Sequence, residues 1–259
     1  MISAQTEQIA QELEDALSEA APEAYQLGIE KPRSTDKLKV LHHCIAEAIR
    51  KIAGADFEVH SLKPEQSGGE LSVHGKYYDK DTDITVVVED NRGKVVLVIS
   101  VKFALSNYRQ NAVNYFETLM GETSNLQRKN IPVIHFICLT HPIPYKASAE
   151  EGNKLESIKD EDITKHRKLA RDERRDHVPA GICFQFFKLQ ISYETKTTSR
   201  GQKKLPSKKD ILNSRITGRQ APAGLGLSEE NARFLQEEAS LRRFIETATL
   251  IIEEARGQL

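Results

Sequence analysis

Residues 83–102 read Asp-Ile-Thr-Val-Val-Val-Glu-Asp-Asn-Arg-Gly-Lys-Val-Val-Leu-Val-Ile-Ser-Val-Lys. Two β-branched runs flank the polar, glycine-containing segment Asp90–Gly93, which predicts a hairpin. If Glu89 pairs with Lys94 across the loop, the same register sets Asp83 opposite Ser100. Opposed side chains share a face about 5 Å apart, and diagonal neighbours lie roughly 7–8 Å apart. Lys102 is then the diagonal neighbour of Asp83. An acid and a lysine meet at the end of a strand pair that is otherwise Val, Leu and Ile, and a one-residue slip would separate them.

The strands on either side extend this hairpin into an α/β core. Asn107 or Ser106 can cap a helix running to Met120, with Gly121 as its stop and Val113, Phe116 and Met120, joined by Ala112 and Leu119, as its buried face. Ile131–Leu139 is a continuously apolar strand. Strand, helix and strand make a right-handed crossover, so 131–139 should run parallel to 94–102. Gly181–Leu189 is a further buried strand, and a mixed sheet with helices on its faces is expected.

The flanks are helical. Residues 4–20 predict a helix ending before Pro22, with Ile9, Leu13 and Leu17 on one side. A second helix follows Ser34 or Thr35, with Leu38, Leu41, Ile45, Ile49 and Ile52 as its stripe and Gly54 as its stop. His42, His43 and Cys44 sit on it. Neighbouring side chains point in different directions on a helix, so surface and packing roles are expected of them rather than a shared metal. Phe57–Leu62 is a short strand, and Ser228 caps a final helix carrying Phe234, Leu235, Leu241, Phe244, Ile245, Ala248, Ile251 and Ile252. The chain divides into N-terminal helices (1–56), the α/β core (57–190), a basic region (191–227) and a C-terminal helix (228–259), all within one domain.

Composition narrows the function. Apolar residues make up 39% and charged residues 29%, and no apolar run approaches the roughly 20 residues of a membrane span. The acidic, amphipathic start is unlike a signal peptide. Cys44, Cys138 and Cys183 are odd in number and far apart, which argues against disulfide scaffolds and zinc sites and fits a reducing cytoplasm. The net charge of −1 conceals a basic segment, since 188–219 holds nine Lys and Arg against Glu194 and Asp210. Lys196, Arg200, Lys203, Lys204, Lys208 and Lys209 are its candidates for contacting a polyanion such as DNA, and a bare linker is the alternative. The charged run 150–176 reads as a solvated helix or loop, although Arg167, Arg171, Arg174 and Arg175 could reach phosphates. Asp79, Asp81 and Asp83 have the D-x-D-x-D spacing of a calcium loop, but the glycine and acidic twelfth ligand are missing.

An acid at the start of a hairpin and x-x-Lys at its end resembles the active site of the PD-(D/E)xK nucleases. In that pattern a second acid stands two residues before the lysine, where this chain has Ser100. Ser100-Val101-Lys102 is similar to the S-x-K strand of the CCGG-recognising type II restriction endonucleases, which bring the missing acid from the following helix. That resemblance covers residues 70–140 and makes Glu117 the displaced carboxylate, with Glu70 and Glu122 as reserve acids. It departs from the family at Thr82, where a Pro is usual, and only Arg109 stands for the basic motif after the lysine. The resemblance implies a restriction-endonuclease-like fold in which Asp83 and Glu117 hold Mg²⁺, Lys102 orients the attacking water and Ser100 hydrogen-bonds. It further implies cleavage of double-stranded DNA at a short palindrome by a homodimer or tetramer. Another nuclease on the same fold, or a DNA-binding protein that does not cut, are the alternatives. An exposed surface ion pair between Asp83 and Lys102 is the bland one, worth at most about 1 kcal/mol.

Overall fold

The computed structural model describes residues 4–31, 34–64, 69–89, 93–104, 106–145, 154–173, 175–193 and 206–259. Six strands form one mixed sheet: β1 (Phe57–Ser61), β4 (Ile84–Val88), β5 (Val95–Ala104), β6 (Val133–His141), β9 (Gly181–Gln190) and β10 (Arg215–Arg219), in the order β1-β4-β5-β6-β9-β10. The central β5-β6 and β6-β9 pairs are parallel and the outer pairs antiparallel. Two further pairs, β2 (Leu71–His74) with β3 (Asp79–Thr82) and β7 (Ile143–Tyr145) with β8 (Lys154–Glu156), stand outside it.

Helices cover both faces. On one lie α1 (Ala4–Glu30), α2 (Asp36–Ala53) and α7 (Leu241–Arg256); on the other lie α3 (Tyr108–Gln127), α4 (Asp160–Ala170) and α6 (Glu229–Glu237). Alternation along the strands feeds both layers. Leu97, Ile99 and Val101 of β5 join Ile134, Phe136 and Cys138 of β6 in the first core. Ala104, Ile137 and Leu139 point into the second. A strand buried on both faces reads as an unbroken apolar run, which is why β6 was legible without periodicity. A short helix, α5 (Lys208–Leu212), leads into β10, so the basic segment is partly structured rather than a bare linker.

Three helix ends differ from expectation. α1 continues through Pro22, because Ala20, Ala21, Ala24, Tyr25 and Ile29 prolong its buried stripe and Tyr25 Oη meets Ser214 Oγ at 2.7 Å. A proline inside a helix costs about 3 kcal/mol, which that burial offsets. α3 continues through Gly121, whose face is open, and reaches Gln127 on the buried Glu122, Thr123 and Leu126. Val113, expected inside, is 60% exposed. The C-terminal helix is two helices. The Ala239 carbonyl accepts from Phe184 N–H, and Ser240 Oγ then caps the second helix by accepting from Arg243 N–H at 3.2 Å.

Two histidines are locked in the α3-side layer. Thr123 Oγ donates to the Leu119 carbonyl at 2.8 Å, so it must accept from His135 Nε2 at 2.6 Å. Burial, then Lys102, pushes the His135 pKa down to about 3. His166 lies edge-on between Phe116 and Phe184, and burial, then His135 and Lys165, lowers its pKa well below the usual value. Between the depressed native value and about 6.5 the unfolded chain binds protons that the native rings do not, so stability is complete above about pH 6.5 and falls as the pH drops. For His135 the loss at pH 5 is on the order of 2 kcal/mol. We expect the urea midpoint to fall between pH 7 and pH 5, and to fall less in His166→Phe; an equal fall in both proteins contradicts this assignment.

Candidate metal centre

The site forms where the hairpin frays. Ile84 pairs with Ile99, Thr85 with Val98 and Val86 with Leu97, the expected register, which carried one step further sets Asp83 opposite Ser100. The expected Glu89–Lys94 pairing is not kept. A register shift after Val86 sets Val87 opposite Val95, and Val88 N–H donates to the Lys94 carbonyl. The irregularity lies on the loop side, so the site end is unaffected. Asp83 occupies a bend between β3 and β4, and its Oδ2 accepts from Val101 N–H at 2.7 Å. The carboxylate thereby takes a strand donor that a backbone carbonyl would otherwise bind, which fixes its direction.

Three side chains converge there. One ligand atom each from His42, Glu70 and Asp83 lies within 4.8 Å of the others, a group that could hold a metal ion. Glu70 is the exposed residue just before β2, and burial of its carboxyl group, then Asp83 and Asp81, raises its pKa against the opposing Lys80. A carboxyl group whose pKa neighbouring acids raise is relieved by a cation beside it. His42 enters from α2 and is fully buried, with neither ring nitrogen hydrogen-bonded among the described residues. Burial lowers its pKa; Asp83 opposes that, and Lys102 adds to it. The ring is therefore neutral and has a lone pair to offer, so the donor set fits a divalent ion: two carboxylates and one imidazole.

A second group adjoins the first. Ser100 Oγ donates to Glu122 Oε2 at 2.9 Å, and Glu122 Oε1 lies 3.3 Å from Lys80 Nζ. Burial disfavours the Lys80 ammonium, but Glu122 and then Asp83 outweigh it and raise its pKa. Lys102 is half-buried two residues beyond Ser100, on the same strand face, and its charge acts on both His42 and His135. No protein-family model, curated protein or solved structure matches this chain.

Several expected residues lie elsewhere. Glu117 is exposed and belongs to neither group. It precedes Glu122 by five residues, which at about 100° per residue turns it roughly 140° away from the helix face that meets Ser100. Arg109 is occupied by α4, at 2.9 Å from Glu161 and 3.7 Å from Asp162. Arg171 pairs with Glu238, and Arg167 with Glu230. Lys196, Arg200, Lys203 and Lys204 lie outside the described residues, as does Arg174; Lys208 opens α5 and Lys209 is exposed on it.

His42 and Lys80 were not foreseen as site members. A signal for His42 existed: Leu38, His42, Ile45, Ile49 and Ile52 follow the i, i+4, i+7 spacing, so a histidine occupied a position on the buried stripe. Lys80 lies inside the acidic run 79–83, where it reads as one more solvated charge.

Proposed function

We propose that the chain is a Mg²⁺-supported nuclease of the PD-(D/E)xK type with a restriction-endonuclease-like core, cutting double-stranded DNA. The observation that carries this reading is the convergence of His42, Glu70 and Asp83 beside the strand-end Lys102. Hydrolysis of a phosphodiester needs a water aimed at phosphorus, a leaving sugar oxygen and neutralisation of the charge that builds on the phosphate. The Glu70 and Asp83 carboxylates would hold a divalent ion, which when bound would polarise the phosphate and make its water more acidic. Lys102 supplies a fixed positive charge for the phosphate and orients the water. As the water oxygen bonds to phosphorus, the bond to the sugar oxygen breaks and that oxygen takes up a proton.

Glu122 takes the place the resemblance gave to Glu117. Its hydrogen bond from Ser100 puts a helix carboxylate beside the S-x-K strand. A cleft lined by Lys37, Ser106, Tyr115 and Ile211 takes in Phe103 and Ala104, the two residues that follow Lys102 on β5. It is bordered by α5, whose exposed Lys209 suits phosphate contacts. Restriction at a short palindrome, read by a homodimer or a tetramer of two-fold pairs, is the form of this activity we favour.

Plasmid incubated with the protein and Mg²⁺ should yield discrete bands that vanish for Lys102→Ala. No cutting of plasmids and genomic DNAs of varied sequence removes the proposal, and smears or junction-specific cuts favour another nuclease of the same type. The two helix acids separate cleanly. Glu122→Gln should slow cleavage about 10–100-fold, as expected for a residue supporting a metal centre, while Glu117→Gln stays within about twofold. The reverse order reinstates Glu117.

A further inference from the structure

We infer that His42 is a direct nitrogen ligand, and that the centre binds a first-row transition ion such as Mn²⁺ in preference to Mg²⁺. The inference rests on the metal-site part of the proposed function and not on DNA cleavage. Its first observation is geometric. Opposed ligand atoms on one ion with bonds near 2.1 Å stand about 4.2 Å apart. The three atoms here lie within 4.8 Å of one another, so slight rotation of a carboxylate gathers them.

The second observation is independent of the acids. His42 is 0% exposed, and among the described residues neither Nδ1 nor Nε2 has a hydrogen-bond partner. An orphaned buried polar atom costs about 1–3 kcal/mol, so a buried ring with none of its polar atoms satisfied is costly if it serves packing alone. Leucine would fill the same stripe beside Leu41 and Ile45 without that cost. Coordination resolves the difficulty, because one ring nitrogen then has a partner worth more than a hydrogen bond.

The ligand types choose the ion. Carboxylate oxygens suit Mg²⁺, Ca²⁺ and Mn²⁺, whereas imidazole suits transition ions. Mg²⁺ demands near-octahedral oxygen surroundings and gives up water reluctantly, so a nitrogen fixed in a dry pocket helps it little. Affinity for a mixed nitrogen and oxygen set rises from Mn²⁺ along the first row. Mn²⁺ shares the carboxylate preference of Mg²⁺ and belongs to the first row, so it is the ion with which to probe both halves of the site.

The test uses the full chain without DNA. Mn²⁺ titration followed by electron paramagnetic resonance should show one ion per chain. Competition should place its affinity about tenfold or more above that for Mg²⁺. Pulsed resonance of the bound Mn²⁺ should show nitrogen-14 modulation from a coordinated imidazole. His42→Gln should erase the modulation and weaken Mn²⁺ about 10–100-fold while changing Mg²⁺ affinity less than threefold. Bound Mn²⁺ without nitrogen modulation in the unaltered protein overturns the inference, and needs no variant to fold. Equal loss of Mn²⁺ and Mg²⁺ affinity in a folded His42→Gln also overturns it. Cleavage with Mg²⁺ but no nitrogen signal leaves the nuclease and sinks only this inference. A nitrogen signal with no cleavage of any DNA does the opposite.

Discussion

Asp83→Asn is expected to abolish DNA cleavage, by on the order of 10³-fold or more, without unfolding the chain. The substitution separates two roles of one side chain. Asp83 Oδ2 accepts from Val101 N–H, and the amide oxygen of Asn can accept the same hydrogen bond, so the bend between β3 and β4 survives. What is lost is the charge. Asp83 is the member of the metal group whose direction is set by the sheet itself, and a neutral amide is a far weaker ligand for a divalent ion. The stability of the apo protein should change little, because the repulsion with Glu70 that is relieved is set against the attraction to Lys80 that is lost. Plasmid cleavage, metal titration and thermal unfolding without metal form one matched set. Activity within tenfold of the parent, in a protein that still binds DNA, would falsify the assignment of Asp83 to the metal.

Most of the sheet was legible because its strands are β-branched or continuously apolar and its turns are polar. The parallel pairing of β5 with β6 follows from a helix between them, and the structure shows it. Helix boundaries were less legible. Pro22 and Gly121 are strong stop signals in an isolated segment, yet each lies where the helix goes on burying residues on the core, and that burial outweighs local propensity. The break near Ala239 has the opposite cause. No proline or glycine marks it; a hydrogen bond to β9 claims the backbone there, and only the fold reveals that demand.

The S-x-K resemblance points to Glu117, with Glu122, at the end of the same helix, in reserve. With one continuous helix, Leu119, Glu122, Thr123 and Leu126 share a buried face and Glu117 does not. The acid at the hairpin and the lysine two residues after Ser100 were legible because their relation is local, set by one register. His42 and Glu70 were harder, since they come from separate elements and their meeting depends on how α2 and the segment before β2 pack around the end of β4. The histidine on an apolar stripe was a clue that its own helix could not interpret, because its partners lie elsewhere in the chain.

Phe136→Ala should cost about 3–5 kcal/mol of stability, a large share of the 5–15 kcal/mol that holds a typical domain together. Phe136 lies on β6 at the middle of the sheet, is 0% exposed and meets Phe244 of α7 edge-to-face at 5.0 Å. Truncation removes the ring's burial and the aromatic contact and leaves a cavity between strand and helix that neighbours on a central strand cannot close. The same core carries Leu41 and Ile45 of α2, so loosening it also loosens the helix that holds His42, and metal affinity should fall along with stability. Val113→Ala supplies the contrast. Helical periodicity put Val113 inside, but its exposure leaves little apolar area to lose, and alanine is the better helix former. Its effect should lie within about 0.5 kcal/mol of zero. Urea denaturation of the two variants at one pH decides the matter. A costly Val113→Ala would mean that α3 buries a different face, and the approach of Glu122 to Ser100 would fail with it.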